Sequence, residues 1–457
     1  MSSSFRTKLI AVAVRLLLAY VAVEAFSFVG FLAATRQVFT FRRFDRARQL
    51  QIEAAAASRP SVTYTTVQRV PHPYVGFTYD PTFEPEGMLQ YHTVPISEWG
   101  FLDDKPPLQA RSDEQVVVGI FGGSVAFWFS VQGVGALVEE LEKVPEFQGK
   151  RLVPVRLALG AFKQPQQLFT LAYLLALGGH FDVVVNLDGL NEAALPLKSN
   201  GLQGVFPFYP DNWPGLLGSV GDPGLVRLVG EVSFLEARRG DLAATFSRPP
   251  LRYSIFANLL WKVLDQRARR QIGGARVALD EYKPDRAAAR TYSAHGPSRH
   301  YADSEAMYLD LAKVWQRASL EMHQLCAANG IRYFHFLQPN QYLEGSKPMS
   351  AQERRVALLP GSAWETGVRG VYPKLRAAGR ELGAQGVAFE DLTQIFTGMA
   401  EPLYIDSCCH VSPEANVLLG HRMGESIRRA MAAESASAGQ RPGWTSPTTR
   451  SAAMARP

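Results

Sequence analysis

Residues 116–128, VVVGIFGGSVAFW, decide how the rest of the chain is read. A run of β-branched residues stops at Gly122-Gly123-Ser124, and a helical pattern begins a few residues later. That change of period marks a strand passing into a helix, and open α/β sheets bind their ligands outside the carboxyl ends of such strands. Paired glycines let the backbone turn sharply and leave the Ser124 hydroxyl and amide unobstructed. A Gly-Gly-Ser turn is also ordinary loop chemistry, so a base, an orienting acid and oxyanion donors have to come from elsewhere in the chain.

Downstream the pattern alternates. Strands are expected over Val116–Phe121, over Leu152–Leu159 closing on Gly160, and over Asp182–Leu187, a nearly continuous apolar run suited to burial on both faces. Helices are expected between them over Gly135–Val144 and Gln164–Leu177. After Asn191 the alternation stops. PFYPDNWPG is loop chemistry, and Leu225–Ile272 reads as helices with basic outer faces, so residues 193–300 form a mainly helical insertion, a lid or a substrate-binding cap. Alternation resumes with a helix over Ser304–Asn329, stopped by Gly330, and a strand over Ile331–Leu337. A helix over Gly370–Leu382, a short strand over Gly386–Phe389 and a last helix over Pro413–Met431 follow. The expected fold is α/β, a central parallel five-stranded sheet covered by helices, spanning residues 95–432.

The flanks differ in kind. From Leu9 to Ala34 only Arg15 and Glu24 interrupt an apolar run close to the roughly 20 residues that cross a bilayer, so residues 9–34 read as a single-pass transmembrane anchor. A cleaved signal peptide is the first rival, although Ala33-Ala34-Thr35 is a poor cleavage site. A buried helix is the second, and Glu24 favours it. Arg36, Arg42, Arg43, Arg46 and Arg48 after the span outnumber Arg6 and Lys8 before it, which places the downstream domain in the cytoplasm. Alternatively the basic stretch TFRRFDRAR lies on anionic headgroups. Residues 35–94 read as a polar linker and a Pro-, Tyr- and Gly-rich extended arm, and residues 433–457 as a disordered tail. A net charge of +6 over 457 residues does not call for nucleic acid, and three cysteines make no disulfide framework.

Three motifs follow successive predicted strands: Ser124, Gly160 and Asp188-Gly189-Leu190-Asn191-Glu192. In a right-handed parallel sheet these loops share one edge. A fourth element, YIDSCCHVSPEAN, sets Asp406 close to His410 just before the last helix, while His300 and Asp303 lie in the insertion. Together the four blocks resemble the SGNH (GDSL-like) hydrolase superfamily, in the right order over about residues 95–430, and SEWGFLDD upstream looks like the lead-in of membrane-anchored members. Those members face the cell envelope, so the resemblance leans the globular domain toward the periplasmic or extracellular side, against the arginine count, and the sequence does not decide between the two. Two positions depart from the family pattern: Gly123 replaces the usual Asp, and Asp406 lies four residues before His410 rather than three.

The resemblance implies a flavodoxin-like three-layer sandwich, acyl transfer and no cofactor. Ser124 would be the nucleophile, His410 the base and Asp406 its orienting acid, with the Ser124 and Gly160 amides and the Asn191 side chain as oxyanion donors. The expected activity is that of an esterase- or lipase-like serine hydrolase cleaving an O-acyl ester of a small molecule, lipid or polysaccharide. Two readings compete with it: an O-acyltransferase acting on a cell-envelope polysaccharide, and a catalytically silent SGNH-like binding module. Plainer roles are open at several positions. Asn191 caps a helix, Gly160 ends a strand, Glu192 pairs locally, and Gln164, Gln166 and Gln167 bond a helix start. Phe206, Phe208, Tyr209 and Trp213 form either a sugar-stacking surface or the insertion's own small core. Cys408 and Cys409 read as packing residues rather than metal ligands, since adjacent cysteines rarely hold one ion together. No Walker or dinucleotide fingerprint is present, which argues against a nucleotide cofactor.

Overall fold

The structure, a computed structural model, describes residues 3–57, 69–81, 94–217, 223–281 and 292–439. In chain order its principal elements are helices α1 (Ser3–Thr35) and α2 (Phe41–Ala57), strands β1 (Arg69–His72), β2 (Gly76–Tyr79) and β3 (Gln115–Gly122), and helices α3 (Ser124–Gln132) and α4 (Val134–Leu141). Strand β4 (Arg151–Arg156), α5 (Gln166–Ala176), β5 (Val183–Asp188), α6 (Leu190–Leu195), α7 (Pro223–Phe246) and α8 (Ile255–Asp280) follow. The chain closes with α9 (Ser304–Ala328), β6 (Arg332–Leu337), α10 (Ala363–Ala384), β7 (Ala388–Asp391) and α11 (Pro413–Gly439). It divides into two units, residues 65–216 with 295–457, and residues 1–64 with 217–294.

The first unit is an α/β sheet with surrounding helices. Five strands pair in parallel in the order β4-β3-β5-β6-β7, with Gly119 opposite both Val155 and Val184, and Val185 opposite Phe334. Every residue of β5 is buried, which is why Val183, Val184, Val185 and Leu187 show no polar alternation, and its two polar residues, Asn186 and Asp188, are hydrogen-bonded to one another. Because β4, β3 and β5 are neighbours, the turns after them carry Gly160, Ser124 and Asn191 to one edge. The arm is a two-stranded antiparallel hairpin, β1 with β2, seated on this unit: Phe77 meets Phe162 edge-on at 5.0 Å, and Gln166 donates to the Val75 carbonyl at 2.9 Å.

Several boundaries depart from expectation, among them the end of β4 at Arg156 rather than Leu159. Helix α3 begins at Ser124 itself, ten residues before α4, rather than a few residues beyond it. Its sequence, SVAFWFSVQ, shows no apolar stripe because Val125, Ala126, Phe127, Phe129 and Ser130 are all buried. A helix covered on most sides loses the 3.6-residue signal that periodicity detects. Helix α10 likewise starts at Ala363, where the Ser362 side chain caps it by accepting from the Glu365 amide. The predicted tail is helical as far as Gly439, and residues 440–457 lie outside the described residues.

The second unit gathers α1, α2, α7 and α8 around Phe31, Phe39, Phe44, Phe246, Ala257 and Trp261. The insertion is therefore split: residues 193–216 and 295–300 belong to the sheet unit and 217–294 to the helical one. Buried Arg48 pairs with Asp45 and with the Asn258 carboxamide oxygen. Glu24 accepts hydrogen bonds from the Ser254 hydroxyl and the Ile255 amide, both at 2.5 Å. From Ile10 to Thr35, α1 is long and apolar enough to cross a membrane, with mean hydropathy 2.1 and little of it covered.

Candidate active site

Strand β3 ends in Gly122, whose φ of +143° suits glycine; a Cβ there would meet the Leu187 carbonyl at 2.1 Å. The chain reverses and α3 begins at once, so Ser124 stands at a helix N-terminus beyond the sheet edge. The site brings Ser124, His410 and Asp406 together. His410 Nε2 lies 2.8 Å from Ser124 Oγ, and His410 Nδ1 lies 2.5 Å from Asp406 Oδ2.

The four-residue separation of Asp406 and His410 is absorbed by a closed loop. Tyr404 and Val411 form an antiparallel bridge, and the Ile405 amide donates to the His410 carbonyl at 3.0 Å. Inside the loop Asp406 divides its two oxygens. Oδ1 accepts from the amides of Cys408, Cys409 and His410 at 2.9, 3.0 and 3.2 Å, and Oδ2 is left for the imidazole. The extra residue is thus spent on an Asx-type turn that aims the carboxylate. Tyr342 donates to the Ser407 carbonyl at 2.7 Å and Gln341 to the Asp406 carbonyl at 3.1 Å, while buried Glu353, paired with Lys347, receives the Leu403 and Tyr404 amides.

Electrostatics follow from this wiring. Burial pulls the His410 imidazolium down, but the hydrogen bond and charge of Asp406 outweigh it and leave His410 above its ordinary value. Burial pushes Asp406 up, but bonds from His410 and the loop amides hold it below the usual carboxylate range. The half-buried Cys408 is held down, chiefly by the Cys409 thiol, and burial pushes Cys409 up. The Cys408 and Cys409 sulfurs and a His410 ring nitrogen all lie within 4.8 Å of one another. Both His410 nitrogens are already engaged, however, so a metal there would have to displace Ser124 or Asp406.

Asn191 is the second residue of α6, and its side chain turns back toward β3. Its Nδ2 donates to the Phe162 carbonyl at 2.8 Å and lies where a Cβ on Gly123 would fall, 2.2 Å away. Gly123 is thus the one residue type that leaves Asn191 this position, a physical reason for the departure from Asp. Gly160 faces the arm: a Cβ there would lie 3.5 Å from Tyr79 Oη, and the Gly160 backbone hydrogen-bonds that phenol. Burial raises the Tyr79 phenol, opposed by Arg69 and by Gly160. The Gly160 amide is therefore shared with a residue that sequence reading did not single out. The Pro- and Tyr-rich character of the arm marked it as packing along the domain, but nothing in that pattern pointed to Tyr79.

Other flagged residues have supporting roles. Glu192 is buried, accepts from the Gln164 and Gly189 amides at 2.9 Å each, and is pushed up to about 8 by burial and by Asp188. Gln167 bonds Glu192, Gln164 bonds Asp188, and Gln166 holds the arm. Asp303 caps α9 through the Ala306 amide, and His300 is exposed. Phe206, Phe208, Tyr209 and Trp213 contact one another edge-on at 5.3–6.1 Å. Comparison with known proteins finds no matching family model and no curated protein of detectable similarity.

Proposed function

We propose that this chain is an SGNH-type serine hydrolase that cleaves an O-acyl ester through Ser124, His410 and Asp406. One observation carries the reading: residues 286 positions apart meet in a continuous Oγ–Nε2, Nδ1–Oδ2 relay at 2.8 and 2.5 Å. The setting supports it. The parallel strand order β4-β3-β5-β6-β7, which is 2-1-3-4-5 counted within the sheet, supports a flavodoxin-like reading, and Ser124, Gly160 and Asn191 follow its first three strands in chain order.

His410 takes the Ser124 proton as the hydroxyl attacks the acyl carbonyl and returns it to the leaving alkoxide. Asp406 fixes the tautomer with Nδ1 protonated and steadies the imidazolium. The oxyanion is received by the Ser124 amide and by the free hydrogen of Asn191 Nδ2, with the Gly160 amide joining when Tyr79 releases it. Water, or a sugar hydroxyl in the O-acyltransferase variant, then attacks the acyl-Ser124 ester. Helix α1 serves as a single-pass membrane anchor, with the sheet unit on the envelope side as in membrane-anchored members of the superfamily.

The test is labelling of the full-length, detergent-solubilised chain by a fluorophosphonate, together with turnover of short-chain nitrophenyl esters. Both signals are expected, and both vanish in Ser124→Ala. A folded wild type that neither labels nor turns over refutes catalysis. Acyl appearing on an added carbohydrate rather than in water reassigns the chain as a transferase.

A further inference from the structure

Within the helical unit, α1 and α8 run parallel and in step. Glu24 receives the Ser254 hydroxyl and Ile255 amide at the start of α8, and seven residues on the Lys262 ammonium lies 5.8 Å from the Phe31 ring. Ser254 is thus abreast of Glu24, eleven residues before α1 ends at Thr35. Only one stripe of α1 is covered here, Glu24, Ser27, Phe28, Phe31 and Thr35.

The exposed face of α8 changes character at the level where α1 ends. Tyr253, Phe256, Leu260 and Val263 recur at intervals of three and four and are 62, 50, 41 and 61% exposed. The one exposed charge among them, Lys262, lies against the Phe31 ring of α1. A turn further on, the exposed residues are Gln266, Arg267, Arg269, Arg270 and Gln271. The apolar span of α1, 26 residues, is about 39 Å long, against about 30 Å of hydrocarbon, so its last turns extend into the interfacial layer. The charges before the span, Arg6 and Lys8, set its other end at the opposite interface, so the excess of about 9 Å falls on this side. Glu24, about 16 Å before Thr35, and the residues abreast of it therefore lie roughly 7 Å below the boundary, the depth at which amphipathic interfacial helices sit. A carboxylate at that depth is costly unless it is bonded, and the α8 N-terminus supplies both donors and the positive end of a helix dipole.

We propose that the end of the α7–α8 connection and the first turns of α8, residues 251–263, dip into the interfacial layer of the bilayer that α1 crosses, with Tyr253, Phe256, Leu260 and Val263 on acyl chains and the arginines of α8 at the headgroups. The proposal rests on α1 being a membrane anchor. It gives the lipid bilayer a second contact besides the span and makes Glu24 the pin that sets its depth.

The experiment uses the full-length chain carrying Cys408→Ser in nanodiscs of phosphatidylcholine and phosphatidylglycerol. Nitroxides are placed singly at Val14→Cys, Phe256→Cys, Val263→Cys and Gln271→Cys, and collisions with oxygen and with a water-soluble nickel chelate are measured. Positions 14, 256 and 263 are expected to shift toward oxygen, and position 271 toward nickel. Phe256→Cys as open to nickel as Gln271→Cys, with Val14→Cys in lipid, overturns the inserted turn and leaves the anchor standing. Val14→Cys in water overturns the anchor and the turn together. Phe256→Cys shielded from both reagents overturns the proposal in favour of a second copy of the chain.

Discussion

Among the described residues, the sheet unit holds one Ser-His-Asp relay at its edge and another in its interior, and the two differ in access. At the edge, Ser124, His410 and Asp406 are linked at 2.8 and 2.5 Å. In the interior, Ser319 Oγ lies 2.7 Å from His335 Nδ1, and His335 Nε2 lies 2.9 Å from Asp188 Oδ1. The distances are alike; the surroundings are not. The His410 and Asp406 side chains are 19 and 40% exposed, those of His335 and Asp188 0 and 1%. Asp188 also receives the Trp315 indole at 2.6 Å and the Asn186 carboxamide at 2.7 Å, and Tyr333 shares the Ser319 hydroxyl. Its partners fill the interior relay, whereas Ser124 sits at a helix N-terminus with amide donors beside it. A hydrogen-bonded triad is therefore a wiring pattern, and access together with nearby oxyanion donors decides whether it can act.

The comparison is broken most directly by Ser124→Ala, expected to lower ester turnover by on the order of 10⁶-fold while leaving the fold intact, read by steady-state kinetics with a circular-dichroism control. Asp406→Asn should cost on the order of 10⁴-fold. It carries a pH signature as well. In the proposed mechanism neutral His410 is the base, and Asp406 holds it above its ordinary value, so the acid limb of the wild-type rate profile should lie above the usual histidine range. Without the carboxylate that limb moves to lower pH; a limb that stays put would show that Asp406 does not face His410. The same linkage adds stability that is fully present below the unfolded-state histidine pKa and is lost as pH rises through the folded value.

Asn191→Ala should cost about 100- to 1000-fold in kcat with little change in KM if its amide receives the oxyanion. Loss of stability without that kinetic effect would make it a structural clasp between α6 and Phe162. The smallest kinetic effect is expected from Ser319→Ala. Turnover is unchanged, and unfolding in urea shows a loss of about 1–3 kcal/mol as His335 Nδ1 and the Tyr333 hydroxyl lose a buried partner. A drop in turnover comparable to that of Asn191→Ala would couple the two relays and overturn the division between them.

Much of the edge relay was legible in the linear chain. Strand ends are local events, and a β-branched run halted by glycine places Ser124, Gly160 and Asn191 at loops without knowledge of distant residues. Asp406 and His410 could be paired because four residues separate them. Nothing local indicated how their spacing would be accommodated, since the answer lies in three loop amides and in the buttressing Tyr342, Gln341 and Glu353. The start of α3 was hidden because burial on most sides erases amphipathic period. The interior relay was invisible for another reason: Asp188, Ser319 and His335 come from β5, α9 and β6 and meet only when those elements pack.

The sequence by itself determined the alternation of strands and helices, the apolar span and the residues delivered to the sheet edge, because periodicity and turn chemistry act over a few residues. Tertiary structure alone decided which histidine faces an accessible serine, why Gly123 leaves no room for an Asp, and why Glu24 can lie in an apolar helix. Each depends on the position of a group far away in the chain: His410 against Ser124, Asn191 against Gly123, and the start of α8 against Glu24. Hydrogen bonds and excluded volume act through space, and only packing sets those distances.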